Sequence, residues 1–213
     1  MASVVLWGRA SSANVQKARW ALEEVGINYD LKEVGGKFGG LDTPQFTGMN
    51  PNGRVPVFQD QGLTVWESHA IVRYIAAKFG AGSLWPEALE QRARVDQWTD
   101  WTATTFQPVW LELFALVVRT APDRRDVALI KAMTSKTLAM LEIMTEPLSR
   151  SAFLAGDQLT YADIVAGVSL FRLTTMEVDV PLPPAILAWH ERLRERPAFV
   201  KSVEISYADL RPA

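Results

Sequence analysis

Two stretches carry side chains whose types and spacing can do chemistry. They are Asn50-Pro51-Asn52-Gly53-Arg54-Val55-Pro56-Val57 and Trp66-Glu67-Ser68-His69-Ala70-Ile71. Asn50 to Gly53 is turn chemistry, because proline fixes φ while Asn and Gly tolerate left-handed dihedrals. Val55 to Phe58 reads as a strand with Pro56 near its start, where a residue without an N–H can sit. A cis Val55–Pro56 bond is expected, since only proline makes that isomer accessible. It would turn the N–H and C=O of Val55 toward another chain's backbone. Asp60-Gln61-Gly62 is a hairpin turn, and Leu63 to Trp66 a second strand. Glu67 and Ser68 then open a helix, whose free N–H groups and partial positive charge suit a carboxylate. A pairing edge beside an anion hole and an acidic residue fits a short peptide with a free amine and a free carboxylate at one end.

The bulk properties bound what else the chain can be. Its 213 residues suit one large domain or two small ones, and 48% hydrophobic residues allow a sizeable core. A net charge of −2 gives no general attraction to nucleic acid or to an anionic membrane. With zero cysteines there is no disulfide, thiolate metal site or cysteine nucleophile, and a reducing, cytoplasmic setting is expected. Met1 to Trp7 lacks the length and flanks of a signal peptide, and no apolar run reaches the roughly 20 residues of a membrane span. His69 and His190 are far apart with no cysteine to join them, so no metal is expected.

The elements that must position these stretches follow from periodicity. Ser3 to Trp7 is an apolar, β-prone run, and Gly8 to Ala13 a loop of small residues. From Asn14, Val15, Ala18, Leu22 and Val25 share a helical face that Gly26 stops. Ile27 to Val34 is a second strand, Gly35 to Gly40 a mobile loop, and Leu41 to Gly48 a short irregular helix. A helix from Glu67 to Phe79 completes a βαβαββα order. The segment 80–86 marks a boundary, after which everything reads as helix or loop. A long helix spans Leu89 to Arg119 and is expected to kink at Pro108. Another helix follows to about Met144. Thr160 with Asp163 forms a capping box ahead of Ile164, Val165 and Val168. Ile186, Trp189 and Leu193 mark a last helix, and the tail from Pro197 reads as irregular.

Arg54-Val55-Pro56, Glu67-Ser68 at a helix start, and Gly156-Asp157 before Thr160-Tyr161-Ala162-Asp163 together resemble the cytosolic glutathione transferases over nearly the whole chain. The resemblance implies an α/β thioredoxin-like N-terminal domain (1–79), a linker (80–86) and an all-α helical domain (87–213). It implies glutathione as co-substrate, a hydrophobic electrophile, no metal, and a homodimer formed across the Glu67–Phe79 and Leu89–Arg119 helices. Arg73 with Asp96 or Asp100 are candidate interface charge pairs.

Site roles follow from the same resemblance. Val55, enabled by Pro56, pairs with the cysteinyl residue of glutathione. Ser68 holds the γ-glutamyl carboxylate, Glu67 faces its ammonium, and His69 serves the same end. Lys37, with Arg54 as alternative, meets the glycyl carboxylate; Gly53 stands where many relatives carry His or Gln. The catalytic task is to keep the thiol ionised, which a hydrogen bond to sulfur and a helix N-terminus both favour. The loop 9–14 can supply both. Ser12 matches the serine of theta-like classes, and Ser11 and Asn14 remain alternatives. No tyrosine lies near this loop and no cysteine is present, so the tyrosine and cysteine classes do not fit. Phe38, Trp101, Thr105, Phe106 and Tyr207 are the expected apolar wall for the electrophile. Other readings on the same scaffold are an isomerase, peroxidase, dehalogenase or ether-cleaving enzyme, or a non-catalytic interaction protein.

Overall fold

The computed structural model of the protein describes residues 4–212. Strands β1 (Val4–Trp7), β2 (Tyr29–Lys32), β3 (Val57–Asp60) and β4 (Leu63–Trp66) form one sheet in the order β2-β1-β3-β4. β1 runs parallel to β2 and antiparallel to β3, and β3 and β4 form the hairpin. The parallel pair needs a crossover, which helix α1 (Ala13–Glu24) provides. Helices α2 (Pro44–Met49) and α3 (Ser68–Phe79) complete the thioredoxin-like N-terminal domain. Ser3, the expected first residue of β1, lies outside the described residues. β2 is shorter than its apolar run, and it alternates between half-buried and exposed residues as an edge strand does. β3 begins at Val57 rather than Val55, because Pro56 has no N–H for the ladder. The Val55–Pro56 bond is cis.

From Leu89 onward the described elements are all helical: α4 (Leu89–Trp101), α5 (Gln107–Val118), α6 (Val127–Arg150), α7 (Tyr161–Thr174), α8 (Pro184–Arg194) and α9 (Pro197–Val203). α4 and α5 are the expected long helix, but a π-helical turn over Thr102–Phe106 joins them. Pro108, in the first turn of α5, explains its position. A proline lacks the N–H for the preceding turn and its ring crowds the carbonyl there, which a widened turn accommodates. α6 runs through Pro147 to Arg150, past the expected end at Met144. Ile143, whose carbonyl loses its donor to Pro147, is 46% exposed, so water can take that role. The tail is not irregular. Pro197 starts α9, and Phe199 buries edge-on against Trp20 of α1 with ring centroids 4.9 Å apart.

Asp163 does more than cap α7. Its Oδ2 accepts from the Thr160 N–H at 2.9 Å and hydroxyl at 3.1 Å, while Oδ1 accepts from the Leu154 N–H and the Trp189 indole. One buried carboxylate thus joins the helix start to the preceding loop and to α8. Arg73, expected at a dimer interface, pairs within its own chain: Nε donates to Asp96 at 2.7 Å and Nη2 to Asp100. Those two aspartates lie on α4 and hold α3 to it.

A buried polar network ties the two domains together. Lys17 of α1 has no exposure, and its ammonium donates to Asn14 Oδ1 (3.1 Å), His69 Nε2 (2.9 Å) and Gln107 Oε1. His69 Nδ1 then donates to the Thr99 carbonyl of α4 at 3.2 Å, which assigns the ring a proton on Nδ1 and an acceptor on Nε2. Burial pushes Lys17 down to about 7, against the opposing charge of Glu67. Burial and the Lys17 charge push His69 down to about 2.

Both groups hold fewer protons folded than unfolded, so stability rises with pH through their windows. For His69, stability is full above about 6.5 and is lost as pH falls from there toward about 2. Lys17 acts in the same direction between about 7 and 10.5. Between pH 7.5 and pH 5 the His69 share is expected to be about 2 kcal/mol. Urea unfolding at the two pH values is expected to show this decline reduced in His69→Gln; an equal decline in both proteins would remove the assignment.

Candidate functional site

The N-terminus of α1 and that of α3 lie at the same end of the sheet, and Gly8 lets the loops there approach. Gly8 holds φ +153°, and a Cβ on it would lie 2.4 Å from Val15 Cγ2 and 3.3 Å from Val55 Cβ. Val55 therefore stands next to the loop that carries the serines. The Val55 N–H and C=O make no backbone bond among the described residues, so this edge is open to another chain. Asn50 Nδ2 donates to the Arg54 carbonyl at 2.7 Å and its Oδ1 accepts from the Asn52 N–H, which holds the turn before it.

Ser12 is the N-cap of α1 with extended dihedrals, yet its hydroxyl makes no capping bond. It lines a cleft with about 490 Å³ of empty space between the two domains, together with Ala13 and Asn14. Ser11 is placed differently. It is 8% exposed, its hydroxyl donates to Asp209 Oδ2 at 2.7 Å, and its carbonyl accepts from Arg172. Asn14 is engaged by Lys17. Of the three candidates, Ser12 alone combines an uncommitted hydroxyl with a helix N-terminus.

Glu67 caps α3 at φ +70°, a left-handed conformation that costs a non-glycine residue about 1 kcal/mol or more. Its side chain makes no capping bond and is exposed. Ser68 behind it is buried, and its neighbour His69 belongs to the Lys17 network. Such strain at a helix mouth is typical of sites where geometry serves a ligand. Lys37 is exposed on a 3₁₀ turn (Gly36–Phe38) with its ammonium 5.0 Å from the Phe38 ring centroid, and Arg54 is exposed beyond Gly53.

The expected apolar wall is corrected. None of Phe38, Trp101, Thr105, Phe106 and Tyr207 lines the cleft; Trp110, Leu111, Phe114 and Leu210 do. Phe106 is fully buried and stacks on Trp101 at 5.5 Å, Phe38 is exposed on the 3₁₀ turn, and Thr105 is half-buried in the π-turn. Tyr207 sits behind the wall, its ring 5.4 Å from Phe114 and its hydroxyl on the Thr175 carbonyl. Along the α4–α5 helix the π-turn changes which residues reach the cleft. It adds a residue to the turn, so positions after it face differently from those an unbroken helix would predict.

The cleft also holds residues that periodicity did not single out: Arg9, Gln107, Arg119 and Arg172. Burial pushes Arg172 down to about 10, with Tyr207 and Asp209 opposing and Arg119 and Arg9 adding to the shift. Burial and then Arg9 lower Arg119. Lys17, one turn from Asn14 and one from Ala21, was legible only as a charge beside an apolar stripe. Among the described residues no group of three His, Cys, Asp or Glu is placed to hold a metal ion, and no helix is long and apolar enough to cross a membrane.

Comparison with known proteins agrees with this geometry. Residues 2–77 match the model of the glutathione S-transferase N-terminal domain and residues 107–197 that of its C-terminal domain. Glutathione S-transferase GstB of Escherichia coli is 34% identical over 204 residues, covering 95% of this chain and 98% of that protein. Glutathione S-transferase 4 of Zea mays is 34% identical over 203 residues, covering 92% of this chain and 90% of its own. The theta class glutathione S-transferase of Xanthomonas axonopodis pv. citri, solved with glutathione bound, is 42% identical with a TM-score of 0.93, covering 97% of this chain and 100% of that one. A chain with this sheet, this helical domain and relatives matched along their whole length belongs to the glutathione S-transferase family and is a glutathione transferase enzyme.

Proposed function

We propose that the chain conjugates glutathione to an electrophile by holding the thiol as a thiolate against the Ser12 hydroxyl. The observation that carries this reading is the free Ser12 hydroxyl at the mouth of α1, on the edge of the cleft between the domains. A free thiol has a pKa of about 8.5, and a hydrogen bond to sulfur together with the helix dipole favours the anion. The tripeptide backbone pairs with the Val55 edge beside Pro56. Its γ-glutamyl carboxylate meets Ser68 and the N–H groups of α3, with Glu67 facing the ammonium. His69 orients this end through the Lys17 network, and Lys37 or Arg54 serves the glycyl carboxylate. The second substrate docks against Trp110, Phe114 and Leu210, and sulfur attacks its electrophilic atom. Positioning and an ionised nucleophile lower the barrier without a covalent enzyme intermediate.

The reading extends to setting and assembly. The domains divide at residues 80–86, where Trp85 stacks on Tyr161 at 5.4 Å and ties the linker to α7. The protein works in the cytoplasm, in keeping with a chain that has no cysteine to oxidise. A second copy packs across α3 and α4 to make a homodimer, as the family resemblance implies; sedimentation velocity giving the mass of one chain would remove this part.

Ser12→Ala is expected to lower turnover about tenfold or more and to raise the pKa of bound glutathione by about one unit, worth about 1.4 kcal/mol. The thiolate absorbance and the pH–rate profile check it; an unmoved profile transfers the role to Asn14 or Ser11. Glu67→Ala and Ser68→Ala are expected to raise KM for glutathione more than they lower kcat, and steady-state kinetics showing the reverse would contradict their roles.

A further inference from the structure

Three guanidinium groups converge on the cleft beside Ser12, those of Arg9, Arg119 and Arg172. Their counter-charge is thin. Asp209 comes to 4.0 Å from Arg9 Nε, and its Oδ2 already accepts the Ser11 hydroxyl. Arg172 is 1% exposed; its Nη2 donates to the Ser11 carbonyl and Gln16 Oε1, both at 2.8 Å, while its Nε and Nη1 have no partner among the described residues. Arg9 Nε and the Trp110 indole N–H are also buried and unpaired. Arg119 lies over the Phe114 ring at 5.6 Å with no acidic partner among the described residues. Buried donors are nearly always paired in folded proteins, and guanidinium charge left without an acidic partner around a cavity favours an anion there. A planar guanidinium fork matches a carboxylate. Beside these donors, Trp110, Leu111, Phe114 and Leu210 offer apolar surface for a ring or short chain.

We propose that this cleft selects an electrophile bearing a carboxylate, held by Arg9 and Arg119 in front of the buried charge of Arg172, with its apolar body on Trp110 and Phe114. The proposal rests on the transferase reading above and names its second substrate class. Glutathione also carries carboxylates, but none of Lys37, Arg54, Val55, Glu67 and Ser68 lines this cleft. The cleft's lining is thus separate from those residues, although Arg9 also packs against Gly35 and Gly36, beside Lys37. For a benzylic chloride the reaction is a direct displacement. The thiolate sulfur forms a bond to the benzylic carbon as the carbon–chlorine bond breaks, and chloride leaves with the electron pair.

Two measurements test this. In the first, 4-ethylbenzoate and the neutral 4-ethylbenzamide are titrated calorimetrically into the full chain, with and without saturating glutathione. The benzoate is expected to bind about tenfold or more tighter than the amide, to keep that advantage with glutathione present, and to lose most of it in Arg119→Gln. Equal binding of the two probes, an advantage unmoved by Arg119→Gln, or displacement of the benzoate by glutathione overturns the proposal; the last result would assign the arginines to the glycyl carboxylate. In the second, kcat/KM is compared for 4-(chloromethyl)benzoate and its methyl ester. The acid is expected to lead by about tenfold, and Arg119→Gln to bring the ratio toward one. If both halides are conjugated and the ester leads, the anion site falls while the transferase reading stands. If the benzoate binds as expected but neither halide is conjugated, the transferase reading falls and the anion site stands.

Discussion

A lysine ammonium with no access to water has to find an acceptor for each of its three hydrogens, or the folded state carries the full cost of a desolvated charge. Lys17 finds them on three helices: Asn14 on α1 itself, His69 on α3 and Gln107 on α5. His69 passes the constraint on to the Thr99 carbonyl of α4. Moving any of these helices by more than a fraction of an ångström would strip a donor or an acceptor. The same helices carry Ser12, the Glu67–Ser68 mouth and the Trp110 wall. The relative placement of the Ser12 loop, the Val55 edge and the cleft thus follows from satisfying one charge.

The sheet-bearing half was legible in the sequence because its signals are local. The turn at Asn50–Gly53, the proline at the head of β3 and the acidic-serine pair at the start of α3 each act within a few residues. The helical half was legible as helices but not as a surface. Trp101 and Phe106 look, by spacing, like residues on the domain-facing side of one long helix. The π-turn over Thr102–Phe106 changes the facing of Trp110 and Phe114 beyond it, and no periodicity measured on a straight helix foresees that. The tail was misread for a related reason. Phe199 and Val203 become helical because α1 offers Trp20 to pack against, a partner nearly the whole chain away. Lys17 and Arg172 are visible as charges, but their burial comes from tertiary packing that spacing does not encode.

The two halves also differ in chemistry. The side around Val55 and Glu67 offers backbone groups and a helix mouth, features that tolerate side-chain change. The cleft side relies on side chains from α1, α5, α7 and the tail, of which Trp110, Leu111 and Leu210 take no part in the Lys17 network. Relatives can therefore share the first and diverge in the second. Glu67, held at φ +70°, is the exception in the tripeptide half: its unusual backbone persists because β4 and α3 fix both its neighbours.

Leu210 lines the cleft, Asp209 accepts the hydroxyl of Ser11, and Tyr207 backs both Phe114 and Arg172. Three residues within one short span after α9 thus line or back the cleft. Exchanging only this segment between related enzymes would change the cleft's apolar rim at Leu210 and, through Asp209, the hold on the loop that carries Ser12.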